Sequence, residues 1–147
     1  YYSNSSSSCR KAKVWLNKHQ LPYKSICLNK PSGLTKEELI HILSLTEKGT
    51  DEIISKKSQV YQTLNLDFEC LTVNELLILI NEHRSLLRRP IIVDEKCLQV
   101  GFNDAEIRKF IPRQIRKVEI EGLEAQLKQI YKIVNNDITR QHPQDPE

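Results

Sequence analysis

The chain has 147 residues, which fits one domain of ordinary size with its own hydrophobic core. Hydrophobic residues make up 39% of the chain and charged residues 28%, a composition that excludes an intrinsically disordered protein. The net charge of +3 indicates an ordinary solvated surface, and the longest purely aliphatic run, residues 76–80, is too short to cross a bilayer, so we expect no membrane partner.

The start of the chain predicts a βαβ unit. Tyr1 and Tyr2 are typical of the end of a strand, and we expect residues ahead of them to lengthen it, since the sequence contains no methionine. Residues 9–20 carry apolar side chains at helical spacing, and residues 21–28 form a second extended segment. A helix between two strands predicts that the strands run parallel.

Residues 34–84 predict a helical insertion. Two capping boxes, Thr35-x-x-Glu38 and Thr72-x-x-Glu75, mark the starts of helices, with short helical pieces between them. Gly49 lies just past the helix that begins after Thr35, where a left-handed capping residue belongs.

A β-hairpin follows the insertion. Pro90 introduces Ile91-Ile92-Val93 as a buried strand, and residues 97–100 return after a polar turn, with Gly101 at the end of the hairpin. The order βαβ, helical insertion and β-hairpin predicts an α/β protein with a thioredoxin-like fold.

We divide the chain into one domain over residues 1–117, an amphipathic helix over residues 118–138 and a disordered tail over residues 139–147. The apolar residues of the helix alternate at spacings of three and four, which is the pattern of a coiled-coil seam. This seam covers only about two heptads, too few to dimerise alone, so we expect a monomer. Its residues are Ile120, Leu123, Leu127, Ile130 and Val134.

The loop ahead of the first helix carries Ser6-x-x-Cys9, the spacing of a thioredoxin-type Cys-x-x-Cys motif whose first sulfur has become oxygen. In such motifs the first cysteine attacks and the second resolves the mixed disulfide. We expect Ser6 to cap the helix and Cys9 to be a partly buried thiol, either inert or, as the alternative, catalytic. The four cysteines lack zinc spacing, so we expect a reduced, cytoplasmic protein without a metal site.

Three stretches of the chain appear in the same order as in one known family. They are Cys9-Arg10-Lys11-Ala12 with Trp15-Leu16, Gly49-Thr50-Asp51-Glu52-Ile53-Ile54-Ser55, and Asn81-Glu82-His83 followed by Leu86-Leu87-Arg88-Arg89-Pro90-Ile91-Ile92-Val93-Asp94-Glu95-Lys96 and Leu98-Gln99-Val100-Gly101. On these motifs the chain resembles the Spx family, bacterial regulators related to thiol arsenate reductases, over residues 1–116. The resemblance implies a regulator without enzymatic activity or cofactor, which binds the C-terminal domain of the RNA polymerase α subunit and redirects transcription under stress.

The resemblance also implies roles for individual residues. Gly49 matches a glycine at the contact with the α subunit. Ser6 and Cys9 match the Cys-x-x-Cys of redox-sensing members, so the disulfide switch of those members cannot form in this chain.

The related arsenate reductases use a cysteine at the position of Ser6 and arginines that hold the oxyanion. Arg89 matches one of these arginines, and Lys57 replaces another, which loses the bidentate fork of a guanidinium. The resemblance therefore implies no arsenate reduction, an anion site or an ion pair at Arg89, and a cis peptide bond before Pro90.

Two other functions stay open. A monothiol oxidoreductase would use Cys9, with glutathione or a thioredoxin as its partner. An autonomous DNA-binding protein is suggested by the basic stretch of residues 84–117, which contains no helix-turn-helix or zinc module. We therefore expect DNA contacts only within a polymerase complex.

Overall fold

The computed structural model of the protein describes the backbone of residues 1–141 and the side chains of residues 1–136. The chain divides into two compact units, Tyr1–Phe110 and Ile111–Glu147. Among the described residues, no helix is both long and apolar enough to span a bilayer.

The first unit alternates short helices with extended segments. Its α-helices are α1 (Ser7–Lys18), α2 (Lys36–Ser44), α3 (Thr50–Ile53), α4 (Gln59–Leu64) and α5 (Val73–Glu82). Single 3₁₀ turns lie at Phe68–Cys70, Arg84–Leu86 and Glu106–Phe110. The strands are β1 (Ile91–Val93) and β2 (Leu98–Val100), which pair antiparallel as the predicted hairpin.

The N-terminal segment lies between this hairpin and the segment that follows α1. Tyr2 forms a parallel bridge with Cys27, and Tyr1 exchanges two backbone hydrogen bonds with Ile91, of 2.8 and 3.0 Å. This confirms the parallel βαβ unit and the α/β class. The second strand is shorter than residues 21–28, because Pro22 has no N–H to donate and residues 22–25 are exposed.

Both predicted capping boxes are present. The backbone N–H groups of Glu38 and Glu75 donate to the Thr35 and Thr72 hydroxyls, and each carboxylate accepts in return from the threonine N–H. The helices that follow pack against each other and bury Leu39, Ile42, Leu76 and Ile80. The same core contains Leu28, Leu34, Ile53, Ile54, Phe68, Leu86, Leu87 and Ile91.

Gly49 has the expected left-handed φ of +61°, but it does not cap α2. That helix ends at Ser44 with Leu45 as its C-cap, and Gly49 instead precedes α3. The carbonyl of Leu43 is already satisfied by the backbone N–H and the hydroxyl of Thr46, so the end of α2 needs no glycine.

The second unit contains α6 (Arg113–Gln141), which begins earlier than the predicted residue 118. Pro112 directly precedes the helix, and its carbonyl accepts the backbone N–H of Arg116, as an N-terminal residue should. Helix α6 includes the first residues of the tail predicted at 139–147, and residues 142–147 lie outside the described residues. The predicted seam residues are exposed, and the division at residue 117 stays a prediction.

Asn81 at the end of α5 holds the turn before α2. Its Oδ1 accepts from the backbone N–H of Leu34 at 2.8 Å, and its Nδ2 donates to the Leu34 carbonyl at 3.0 Å. The turn reaches this position through Gly33, which has φ +61° and where a Cβ atom would lie 2.3 Å from Asn81 Oδ1. The side-chain amide of Asn81 therefore satisfies both backbone polar groups of buried Leu34, as a neighbouring strand would do.

We expect Asn81→Ala to lower the free energy of unfolding by about 2–3 kcal/mol, because both backbone polar groups of buried Leu34 lose their partner. Urea unfolding followed by the fluorescence of Trp15, the single tryptophan, measures this. Asn74→Ala, at an exposed position of the same helix, is the matched control and should change stability by less than about 0.5 kcal/mol. Equal effects of the two substitutions would contradict the role of Asn81.

Candidate functional site

The Ser6-x-x-Cys9 loop begins helix α1. Ser6 is the N-cap with extended backbone, and its Oγ accepts a hydrogen bond from the Cys9 N–H at 3.3 Å. The helix begins at Ser7, ahead of the predicted residue 9, because this cap satisfies an amide of its first turn. The N-cap role that we expected for Ser6 is confirmed.

Cys9 lies beneath the loop and not at its surface. The residue is only 2% exposed, and its Sγ accepts the backbone N–H of Ser3 at 3.5 Å. Ser3 is itself buried, and its hydroxyl lies 3.0 Å from that of Ser5. The thiol is free, like the other three cysteines, but it is more deeply buried than predicted, so a reagent in solution has little access to it.

The sheet brings this loop to the Arg89–Pro90 peptide. Tyr1 pairs antiparallel with Ile91, so the chain after Tyr1 runs toward the same end of the sheet as the chain before Ile91. The Arg89–Pro90 bond is cis, as predicted. The loop, the cis peptide and Arg89 therefore meet at one end of the sheet.

Arg89 makes one hydrogen bond that the structure describes. It is half-buried, and its Nη2 donates to the Arg84 carbonyl at 3.5 Å. Within residues 1–136, no carboxylate forms an ion pair with it, so the predicted alternative of an ion pair is not found in that part of the chain. Lys57 is exposed between α3 and α4, and none of the described contacts joins it to Arg89.

Arg84 is a residue that the sequence analysis missed. Its guanidinium donates to the carbonyls of Leu28, Lys30 and Pro31, and so holds the turn after the βαβ unit against the 3₁₀ turn that precedes Arg89. Arg84 entered the sequence analysis only as the first residue of the basic stretch 84–117, and a lone arginine does not reveal that its partners are backbone carbonyls.

Gly49 lies in an exposed loop between α2 and α3. Its φ of +61° and ψ of −133° suit glycine alone among common residues, and a Cβ atom there would have no neighbour within 4 Å. The carboxylate of Glu52 accepts the backbone N–H groups of Glu47 and Lys48, and Arg88 Nη1 donates to the Glu52 carbonyl at 3.1 Å. Glu52 and Arg88 were also missed as individual residues.

Tyr1 and Cys70 are among the residues outside the loop whose side chains have shifted pKa values. Burial, followed by the neighbouring Glu38 carboxylate, raises the pKa of the Tyr1 phenol to about 12, so this hydroxyl stays protonated and donates to Glu38. The hydrogen bond to Asp67 and the charge of Asp67 raise the pKa of the exposed Cys70 thiol. Among the described residues, no three His, Cys, Asp or Glu side chains gather in a way that could hold a metal ion.

Comparison with known proteins gives a consistent result. The model of the ArsC family matches residues 1–110. The global transcriptional regulator Spx of Streptococcus pneumoniae is 54% identical over 121 residues, which cover 82% of this chain and 90% of that protein. Spx of Bacillus subtilis is 50% identical over 121 residues, which cover 82% of this chain and 91% of that protein.

Solved structures share the fold. A protein related to the ArsC family from Bacteroides fragilis aligns with a TM-score of 0.61 and 27% identity, over 74% of this chain and 92% of that one. Arsenate reductase from Vibrio cholerae aligns with a TM-score of 0.56 and 22% identity, over 76% of this chain and 92% of that one. The chain belongs to the ArsC family and, within it, to the Spx regulators.

Proposed function

We propose that this protein is a global transcriptional regulator that binds the C-terminal domain of the RNA polymerase α subunit and redirects transcription under stress. The observation that carries the proposal is the 54% identity to Spx of Streptococcus pneumoniae over 82% of the chain. The regulator acts in the cytoplasm as a monomer without a cofactor, and it touches DNA only within the polymerase complex.

Gly49 is the proposed contact with the α subunit. The space around it is open on the side where a Cβ atom would point, so the chain itself sets no steric limit there. An exposed glycine lets the backbone of another protein approach closely, because it has no side chain to keep that backbone away.

We further propose that the protein is not an enzyme and is not controlled by a disulfide in its loop. A serine hydroxyl at position 6 forms no disulfide, and it needs a neighbouring base to act as a nucleophile. The burial of Cys9 also supports this view, because a thiol that is 2% exposed cannot easily meet a substrate. Arg89 keeps an anion-binding role at the end of the sheet, where its guanidinium lacks a carboxylate partner among the described residues.

The alternative is a monothiol oxidoreductase. One observation favours it: Cys9 is a free thiol in the first turn of α1, the place that a thioredoxin-type motif gives its cysteines. It requires the loop to open before each turnover.

We expect purified protein to bind the C-terminal domain of the α subunit in calorimetry, and Gly49→Arg to weaken binding at least about tenfold, because a large side chain would fill the open contact surface. Gly49→Ala places a non-glycine residue at a positive φ without adding a large side chain, so it should lose less affinity than Gly49→Arg. Gly122→Arg, an equal substitution at an open position of α6, is the matched control. Absence of binding by the unmodified protein would overturn the proposed function.

We expect the binding of this protein to be unchanged by the thiol oxidant diamide, whereas Ser6→Cys should form a disulfide with Cys9 and become sensitive to it. The two positions share one helical turn, with the Ser6 side chain already in contact with the Cys9 N–H. The double variant Ser6→Cys, Cys9→Ala is the control and should not respond. Oxidant sensitivity of the unmodified protein would show control through another thiol.

We expect iodoacetamide to alkylate Cys9 at least about tenfold more slowly in the folded protein than in urea, because the reagent reaches this buried thiol only after local opening. Mass spectrometry of the peptide that contains Cys9 measures the rate at each time point. Exposed Cys70 in the same sample reports whether the reagent is active. Alkylation of folded Cys9 faster than of free cysteine would favour the oxidoreductase.

A further inference from the structure

The side chain of Glu52 holds the loop that carries Gly49 by hydrogen bonds to the loop backbone. Oε1 of Glu52 accepts the backbone N–H of Glu47 at 2.7 Å and that of Lys48 at 2.6 Å. The Glu52 N–H donates in turn to the Gly49 carbonyl at 3.3 Å. Two consecutive backbone N–H groups therefore share one acceptor oxygen, so a single residue defines the shape of this exposed loop.

The same residue ties the loop to the body of the first unit. The Glu52 carbonyl accepts from Arg88 Nη1 at 3.1 Å, and the backbone N–H of Arg88 donates to the Ile53 carbonyl at 2.8 Å. An antiparallel bridge between Ile54 and Leu87 continues the contact. The backbone of Glu52 is therefore held against the first unit, and its carboxylate reaches the loop from this position.

Without this carboxylate the loop has little to hold it. Glu47, Lys48 and Gly49 are all exposed, and a glycine adopts positive and negative φ about equally readily, so Gly49 does not by itself restrict the loop to one conformation. A loop that samples many conformations binds a partner more weakly, in proportion to the fraction of molecules in the competent one.

We propose that Glu52 is a positioning residue that holds the Gly49 loop in the conformation to which the polymerase α subunit binds. This inference rests on the proposed function, because it assigns the Gly49 loop to that partner. Glu52 acts through its hydrogen bonds to two backbone N–H groups, and its negative charge is not required for the role.

The test compares Glu52→Ala, which removes the acceptor, with Glu52→Gln, which removes the charge but keeps an acceptor oxygen at the same length. Calorimetry measures binding to the C-terminal domain of the α subunit, and NMR hydrogen exchange measures protection of the Glu47 and Lys48 amides. Glu82→Ala, at an exposed glutamate of α5, is the matched control. The melting temperature of every variant shows whether it folds.

We expect Glu52→Ala to bind about tenfold more weakly and to lose protection at both amides, since the competent conformation falls to about a tenth of the molecules. Glu52→Gln should stay within about threefold of the unmodified protein in affinity and keep most of the protection. The control Glu82→Ala should match the unmodified protein in both measurements.

Equal weakening by Glu52→Ala and Glu52→Gln would overturn the inference, because it would assign the effect to charge near the start of α3. Unchanged affinity of Glu52→Ala, in a protein that does bind the α subunit, would overturn it too and leave the proposed function standing. Failure of the unmodified protein to bind would overturn the proposed function, and the positioning role with it.

Discussion

The molecule depends on one backbone pairing between its N-terminal segment and β1. Tyr1 exchanges two hydrogen bonds with Ile91, while Tyr2 pairs on its other side with Cys27. The N-terminal segment is therefore an inner strand. The segment at Cys27 runs parallel to it on one side, and β1 runs antiparallel to it on the other. Because the pairing with β1 is antiparallel, it also brings Ser3 and the loop after it beside the cis peptide. A change of register by one residue would exchange which side chains face the core.

Hydrogen bonds shape this loop without any covalent link. Ser6 Oγ caps the helix through the Cys9 N–H, and the Cys9 sulfur accepts the N–H of Ser3. A disulfide within this loop would require a sulfur at position 6, where the chain has a serine hydroxyl. The loop thus has a capping hydroxyl at the position where a Cys-x-x-Cys motif has its first thiol. Fold resemblance to arsenate reductases carries no activity across, since catalysis resides in the site.

Local signals in the sequence predicted local structure well. The capping boxes at Thr35 and Thr72 formed because both partners lie within one turn, and the cis bond before Pro90 followed from the family motif. Contacts between distant residues could not be predicted in this way. Asn81 holds Leu34 across 47 positions by bonds to its backbone, and backbone carbonyls leave no pattern in the sequence. For the same reason Gly49 was correctly expected to have a positive φ but was assigned to the wrong helix.

The backbone of Gly49 has hydrogen-bond partners within the chain, but no described atom covers its exposed side. Glu52 accepts hydrogen bonds from the two amides that precede Gly49, and its own N–H donates to the Gly49 carbonyl. Holding an exposed glycine in one conformation costs more backbone entropy than holding any other residue. A Cβ atom at this position would have no heavy atom within 4 Å, so no packing contact there offsets the entropy cost. The proposed contact with the α subunit would use this open space, because a partner could pack there without displacing any described atom of the chain.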